Sequence, residues 1–294
     1  MKDLTAKQAD LMLFFVAFFW GTGFTVTKLA LEIYTTVQLL FLRFAIAAIA
    51  SLFIFRKNLK SVTKTDVKAG VVIGVFLAIG FVLQTIGLEG TSTGNSAFLT
   101  GTNVVMVPFF YFLVTKIKPR KNNIIAAGLM FLGIILLTVD FENFGKFNLW
   151  DFLTLLSAIS FAWQVVSTGI FASDKDPAII SSIQIFTCTI IFFIMMLIEG
   201  KSITFSVQGT FSMLYLSLVA TLLCFLMQTM GQKYTSTTHA AIILSLESVI
   251  GSLLGVLVLS EKYTALTIVG FAVIFFAVII AEVGFDWLFK RKTN

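Results

Sequence analysis

The chain of 294 residues is 58% hydrophobic and only 12% charged, with a mean hydropathy of +0.98, whereas ordinary soluble domains carry about 25% charged residues. That composition excludes a soluble globular protein and leaves no room for a separate soluble domain. The net charge of +6 is read as a membrane-orientation signal and not as a nucleic-acid-binding surface.

Ten apolar segments follow in chain order, near residues 11–31, 37–55, 67–88, 95–115, 122–139, 149–170, 178–198, 210–231, 238–259 and 265–285. Crossing a bilayer core takes about 20 apolar residues. Lipid tolerates no unsatisfied backbone, so each segment is expected to be an α-helix. The alternation of a membrane β-barrel is absent from the sequence. The first segment is too long for a signal-peptide core and lacks a small-residue cleavage pattern, so it is read as the first span. Pro177, after Asp174 and Asp176, suits the first turn of the seventh helix. Cys188 and Cys224 fall in apolar segments and are read as small hydrophobes rather than a disulfide. With both termini in the cytoplasm, Lys28, Lys146, Lys201 and Lys262 face outward and Arg43 lies within a span. The remaining sixteen of the 21 basic residues then face inward, as the positive-inside bias requires.

Polar residues inside these runs are the candidate functional groups. Trp20 and Thr22 on the first helix, with Trp163 and Gln164 on the sixth, are expected to line a cavity. An aromatic wall there suits amine-bearing, partly apolar solutes through cation–π contact. Lys28 is expected to snorkel to the outer face. Arg43 is the one intramembrane cation; it either locks the scaffold, by pairing with Glu247 or a backbone carbonyl, or clamps a substrate carboxylate. On the fourth helix Asn95, Leu99, Thr102 and Asn103 share one face, read as cavity lining. Pro108 removes the hydrogen bond to the Val104 carbonyl, which predicts a kink one turn beyond Asn103. His239, the only histidine, is read as an interfacial residue at the inner end of the ninth helix.

In the run "AAIILSLESVIGSLLGVLVL" from Ala240 one carboxylate, Glu247, stands about nine residues from the helix end, or roughly 14 Å at about 1.5 Å per residue. That is the middle of a hydrocarbon core about 30 Å thick. A charge there costs about 2.5–3.5 kcal/mol on the insertion scale, so Glu247 is expected to face the bundle interior or a wet cavity. There it can trade a proton for a cationic or zwitterionic solute; a packing hydrogen bond between helices is the plain alternative. Gly251 and Gly255 form a small-residue face, read as helix-packing surface.

The chain also repeats itself. "LQTIGLEGTSTGNSAFLTGTN" from Leu83 matches "MQTMGQKYTSTTHAAIILSLE" from Met227 at an offset of 144, sharing Q-T-x-G and T-S-T. A weaker match at an offset of 141 lays "AFFWGTGF" from Ala17 on "AISFAWQV" from Ala158 and Arg43 on Gln184, while Asn103 falls on Glu247 at 144. Five helices per half is an odd number, so the halves enter the membrane from opposite sides. Such an inverted repeat is common in secondary transporters, which hold substrate near the midplane between halves. Residues 1–145 and 146–294 are taken as the two repeats.

The second half, through "AAIILSLES", "LSEK" and "IVGFAVIFFAVIIAE", resembles the EamA-type repeat of the drug/metabolite transporter superfamily. The first half resembles the partner repeat through "FWGTGFTVTK", "FLRFAIA", "NSAFLTGTNVVMVPFF" and "GLMFLGIILLT". The family pattern places Pro directly after the position of Glu247, where this chain has Ser248. The resemblance implies an all-α membrane protein of ten helices and a carrier of amino acids, drugs, choline-like amines, purines or nucleotide sugars.

The reading is therefore a secondary active transporter working by alternating access, an exporter of a small amino-acid-like or amine metabolite or drug, with proton coupling as an option. Its expected partners are that small molecule, protons and the lipid bilayer, with no cofactor, metal or nucleic acid. An importer or facilitator is the alternative within the class, and a channel or membrane receptor the alternative outside it. Enzyme chemistry finds no Asp pair, Ser–His pair, zinc-ligand spacing or phosphate loop in the sequence, and no mid-span lysine is placed to hold retinal. The absence of N-x-S/T sequons, with abundant Lys, Ile and Phe, fits a bacterial plasma membrane.

Overall fold

In a computed structural model that describes residues 4–138, 148–203 and 206–283, every regular element is helical. The order is α1 (Ala6–Ala30), α2 (Thr36–Ile54), α3 (Lys64–Gly90), α4 (Thr93–Gly101), α5 (Asn103–Thr115), α6 (Lys121–Thr138), α7 (Leu149–Phe171), α8 (Pro177–Glu199), α9 (Val207–Leu214), α10 (Cys224–Tyr234), α11 (Thr237–Ser245), α12 (Glu247–Leu259) and α13 (Ala265–Val283). Eight helical stretches are long and apolar enough to cross a membrane, and α6 and α13 contain two shorter apolar ones. Each of the ten predicted segments coincides with one of these stretches. Lys2, Lys146, Lys290, Arg291 and Lys292, the boundary between residues 145 and 146, and the last two residues of the tenth predicted segment lie outside the described residues.

Three of the predicted helices are not uniform. The fourth breaks at Thr102, between α4 and α5, and the ninth at Leu246, between α11 and α12. The breaks match at the repeat offset: Thr102 has φ −61°, ψ −16° and Leu246 has φ −60°, ψ −17°. The fourth-helix break precedes Asn103, and Pro108 lies inside helix α5. No proline is needed in the ninth helix either. Ser248 instead donates its Oγ hydrogen to the Ala97 carbonyl at 2.9 Å. Gly101 leaves room for that hydroxyl, since a Cβ there would lie 2.0 Å from Ser248 Oγ. In the eighth predicted helix Tyr215–Leu223 winds as a π-helix between α9 and α10.

The repeat motifs have local causes. Thr91 and Thr235 leave their helices in extended conformation, and Ser92 and Ser236 then cap α4 and α11. Their Oγ atoms accept from the Asn95 N–H at 3.1 Å and the His239 N–H at 3.3 Å, satisfying donors a helix start leaves open. T-S-T thus holds a two-residue turn between consecutive helices. The shared glycine serves a close approach: a Cβ on Gly87 would lie 2.2 Å from Thr154 Oγ1 on α7, and one on Gly231 would lie 2.7 Å from Leu13 Cγ on α1. Thr154 and Leu13 are themselves repeat equivalents.

Helix contacts obey the same exchange. α1 packs on α12 and α10, as α7 packs on α5 and α3; α2 meets α8, α4 meets α12 and α6 meets α13 across the halves. Two apolar cores result, one centred on Phe44, Phe81, Phe192 and Phe225, the other on Phe98, Leu99, Val165 and Phe271. Polar contacts gather at the two ends of the bundle. One end holds Asp10 with His239 (3.3 Å) and Asp66 with Lys175 (3.2 Å). At the other, Lys28 Nζ donates to the carbonyls of Leu88 (2.5 Å) and Thr91 (3.0 Å), and the Glu261 carboxylate accepts from the Thr93 N–H at 2.6 Å.

The glycine contacts set the stability expectation. Gly87→Ala forces a methyl against the Trp150 carbonyl, 2.8 Å from the new Cβ, and is expected to destabilise by about 1–3 kcal/mol, as overpacking does. Gly128, with open space around it, is the control. Gly128→Ala should hold or raise the melting temperature of the detergent-solubilised protein, and an equal melt for the two variants would contradict the close-packing role.

Candidate functional site: a cavity between the repeats

Where α1, α2, α3, α4, α5, α7, α10, α11 and α12 converge, the bundle leaves a narrow cavity, partly open to solvent. Its wall follows the repeat. Trp20 and Phe161, Gly23 and Gln164, Phe24 and Val165, Phe81 and Phe225, Thr100 and Leu244, and Asn103 and Glu247 all line it, and each pair is separated by 141 or 144 residues. Sequence numbers alone thus identify most of the wall once the repeat register is known.

Glu247 is 6% exposed and is the first residue of α12. Leu246, the one-residue break before it, keeps helical dihedrals, so Glu247 stays within one helical stretch, Thr237–Leu259. Among the described residues no hydrogen bond or ion pair reaches its carboxylate. Asn103 holds the equivalent first position of α5. Opposite them Arg43, 4% exposed, donates Nε to Thr221 Oγ1 at 2.6 Å and Nη2 to the Ala220 carbonyl at 3.2 Å. Its guanidinium lies 4.5 Å from the Phe81 ring centroid, a cation–π contact. Among the described residues the ion pairs are Lys175–Asp66, Lys201–Glu199 and His239–Asp10. Arg43 and Glu247 therefore share the cavity without pairing, and the carbonyl anchor is the part of the predicted lock that is present.

Five expected lining residues come together: Trp20, Arg43, Asn103, Gln164 and Glu247. Trp20 also donates Nε1 to the Ala220 carbonyl at 2.9 Å. Four do not. Thr22 turns away to bond the Phe19 carbonyl and the Tyr215 hydroxyl. Trp163 is stacked between Phe76 and Phe110, with centroids at 5.7 and 4.7 Å. The reason is register: Trp20 falls on Phe161, which lines the cavity, whereas Thr22 falls on Trp163, and neither of those does. Thr102 is spent on the break, donating Oγ1 to the Leu99 carbonyl at 2.6 Å. Asn95 lies one helical stretch away, beside Asp151, whose carboxylate also accepts from Thr91. Lys28, expected to snorkel to the outer face, caps the C-terminal carbonyls of α3 at one end of the bundle.

The cavity is symmetric at its centre and lopsided beyond it. It continues along the first repeat past Gln84, Thr85, Leu88 and Thr27. The equivalents of those four, Gln228, Thr229, Gln232 and Thr168, lie outside the lining. There the space is closed by amides. Gln164 and Gln228 exchange hydrogen bonds at 3.2 Å in both directions, and Gln164 also donates to Gln184 Oε1 at 3.4 Å and Thr168 Oγ1 at 3.3 Å. Gln232 donates to the Val165 carbonyl at 3.1 Å. Gln184 Nε2 and Gln232 Oε1 remain buried without a partner among the described residues.

Residues that the sequence reading did not assign to the site include Phe81, Phe225 and the amides at 84, 184 and 228; their signal was the Gln-Thr pair of the repeat and mid-span polarity. Glu261 and Tyr263, from the segment after α12, were also missed. Glu261 anchors the start of α4, and Tyr263 donates to it at 2.7 Å. Burial, with the Glu261 carboxylate beside it, raises the Tyr263 phenol above its usual range, which keeps the hydroxyl a donor. Among the described residues no group of His, Cys, Asp and Glu could hold a metal ion.

Comparison with known proteins fits this arrangement. The EamA-like transporter family model matches the chain twice, over residues 7–139 and 148–282. The chain is 31% identical over 274 residues to an uncharacterized transporter of Archaeoglobus fulgidus, covering 93% of this chain and 85% of that protein. It is 23% identical over 299 residues to a probable amino-acid metabolite efflux pump of Escherichia coli, covering 96% and 97%. A solved crystal structure superposes with a TM-score of 0.72 at 14% identity, covering 97% of this chain and 99% of that one, which shows the same fold. The chain belongs to the EamA-like transporter family and is a transporter rather than an enzyme.

Proposed function

We propose that the protein is a secondary active carrier that exports a small amino-acid-like or amine metabolite or drug by alternating access, with proton exchange at Glu247. The observation that carries this reading is Glu247 itself, buried and unpaired in a cavity lined by both repeats. An intramembrane carboxylate of this kind must neutralise, hydrate or meet a cation, and alternation among those options is what coupling requires. The efflux activity named for the Escherichia coli relative supports the outward direction and the amino-acid-like cargo.

On this reading ten helices cross the bacterial plasma membrane, residues 1–145 and 146–294 form inverted repeats, and both termini are cytoplasmic. The open arm of the cavity along α1 and α3 then faces outward. The amide-filled arm along α7, α8 and α10 is the inward path in its closed form. Its two unpartnered polar atoms mean that opening it to water costs little net hydrogen bonding. In the second state the halves exchange roles, with Glu247 and Asn103 kept at the centre.

Two outcomes check the reading. In a background lacking Cys188 and Cys224, a cysteine at Lys201 should react with an impermeant thiol reagent outside intact cells, and one at Lys60 should not. Labelling of Lys60 from outside would reverse the orientation. In proteoliposomes loaded with labelled amino acids, an imposed pH gradient should drive uphill transport by the wild type. Glu247→Gln keeps shape and hydrogen-bonding capacity but has no titrating proton, so it should retain exchange and lose the gradient-driven component. Equal gradient-driven transport by both proteins would return Glu247 to a packing role.

A further inference from the structure

We propose that Arg43 and Glu247 form a two-point receptor for a zwitterion, with Arg43 taking the carboxylate and Glu247 the ammonium group. The proposal rests on the transport reading above and deepens it to a substrate class. Both side chains line one cavity, both are buried, and among the described residues neither has a counter-ion. A guanidinium carries five N–H donors, and Arg43 places one on Thr221 Oγ1 and one on the Ala220 carbonyl. Both acceptors are uncharged, so the positive charge stays uncompensated and three donors, two of them on Nη1, remain for a ligand. Phe81 covers one face of the guanidinium and helps fix its plane. The Nη1–Nη2 edge is a planar fork of the kind that meets a carboxylate bidentately.

The repeat makes the same point independently. Arg43 corresponds to Gln184 and Glu247 to Asn103. At these two pairs of positions each repeat keeps one neutral amide and converts the other to a charge. The signs are opposite. A cavity nearly symmetric in shape thereby becomes polar in charge, which matches a solute bearing both charges. The aromatic wall of Trp20, Phe24, Phe161 and Phe225 then receives an apolar side chain, so apolar amino acids and compounds of that pattern are the class.

The test is a thermal-shift titration of the purified full chain with the twenty L-amino acids and their amides, since a ligand of the native state raises the melting temperature by mass action. At least one apolar amino acid should bind the wild type, and its amide should bind about tenfold or more weakly, the loss expected for one charge-assisted hydrogen-bonded contact. Arg43→Gln installs the side chain that the second repeat already carries at Gln184, and it should erase that preference. Arg43→Lys should keep a reduced one. A folded Arg43→Gln protein with the wild-type acid-to-amide ratio would overturn the proposal, as would a wild type that binds acid and amide alike or binds no amino acid. Should Arg43→Gln fail to fold, the wild-type ratio and Arg43→Lys decide by the same criterion. Flux of amines without acid preference would remove the receptor and leave the carrier standing.

Discussion

Placing a charge in the apolar centre of a membrane protein costs several kcal/mol unless something solvates it. Here two side chains of opposite sign meet that cost without meeting each other, and much of the architecture serves this separation. At Leu246, just before Glu247, the ninth helix is interrupted for one residue. On the other side, the Ala220 carbonyl, within the π-helical segment, accepts from both Trp20 and Arg43. Local π turns recur at functional sites. Arg43 is thus held by two neutral acceptors and a ring, and both side chains retain unused hydrogen-bonding capacity toward the cavity.

The repeat supplies the second constraint. Glycines at 87 and 231 bring α3 onto α7 and α10 onto α1 in equivalent ways, and serines at 92 and 236 cap equivalent helices. A scaffold so nearly symmetric has two arms of similar cost, and this conformation fills one with amides and leaves the other open. In this conformation the arms differ by the amide hydrogen bonds on one side. On the proposed mechanism, that difference is what solute and proton binding need to bias.

Much of this was legible in the sequence, and the misses have a common origin. Apolar length fixed the ten helical segments, because lipid leaves the backbone few choices. The repeat register, read from Q-T-x-G and T-S-T, was the most informative signal, since it pairs most lining positions. Thr22 and Trp163 were misassigned because being polar or aromatic at mid-span says nothing about which way a side chain turns on its helix. The contact of Ser248 with the Ala97 carbonyl and the space left by Gly101 was invisible, because these residues are far apart in sequence. The amide network was missed for the same reason: three glutamines on three helices form a cluster only after folding.

The most direct measurement of the central claim, that the two repeats line two alternating arms of one cavity, is sided modification of repeat-equivalent cysteines. In a background lacking Cys188 and Cys224, Thr85→Cys stands on the open arm and Thr229→Cys on the closed one. In sealed vesicles under turnover conditions, an impermeant thiol reagent should reach the first only from the outer face and the second only from the inner face. Conditions that raise one rate should lower the other. Modification of both from the same face, or of Thr229→Cys from neither, would contradict the account.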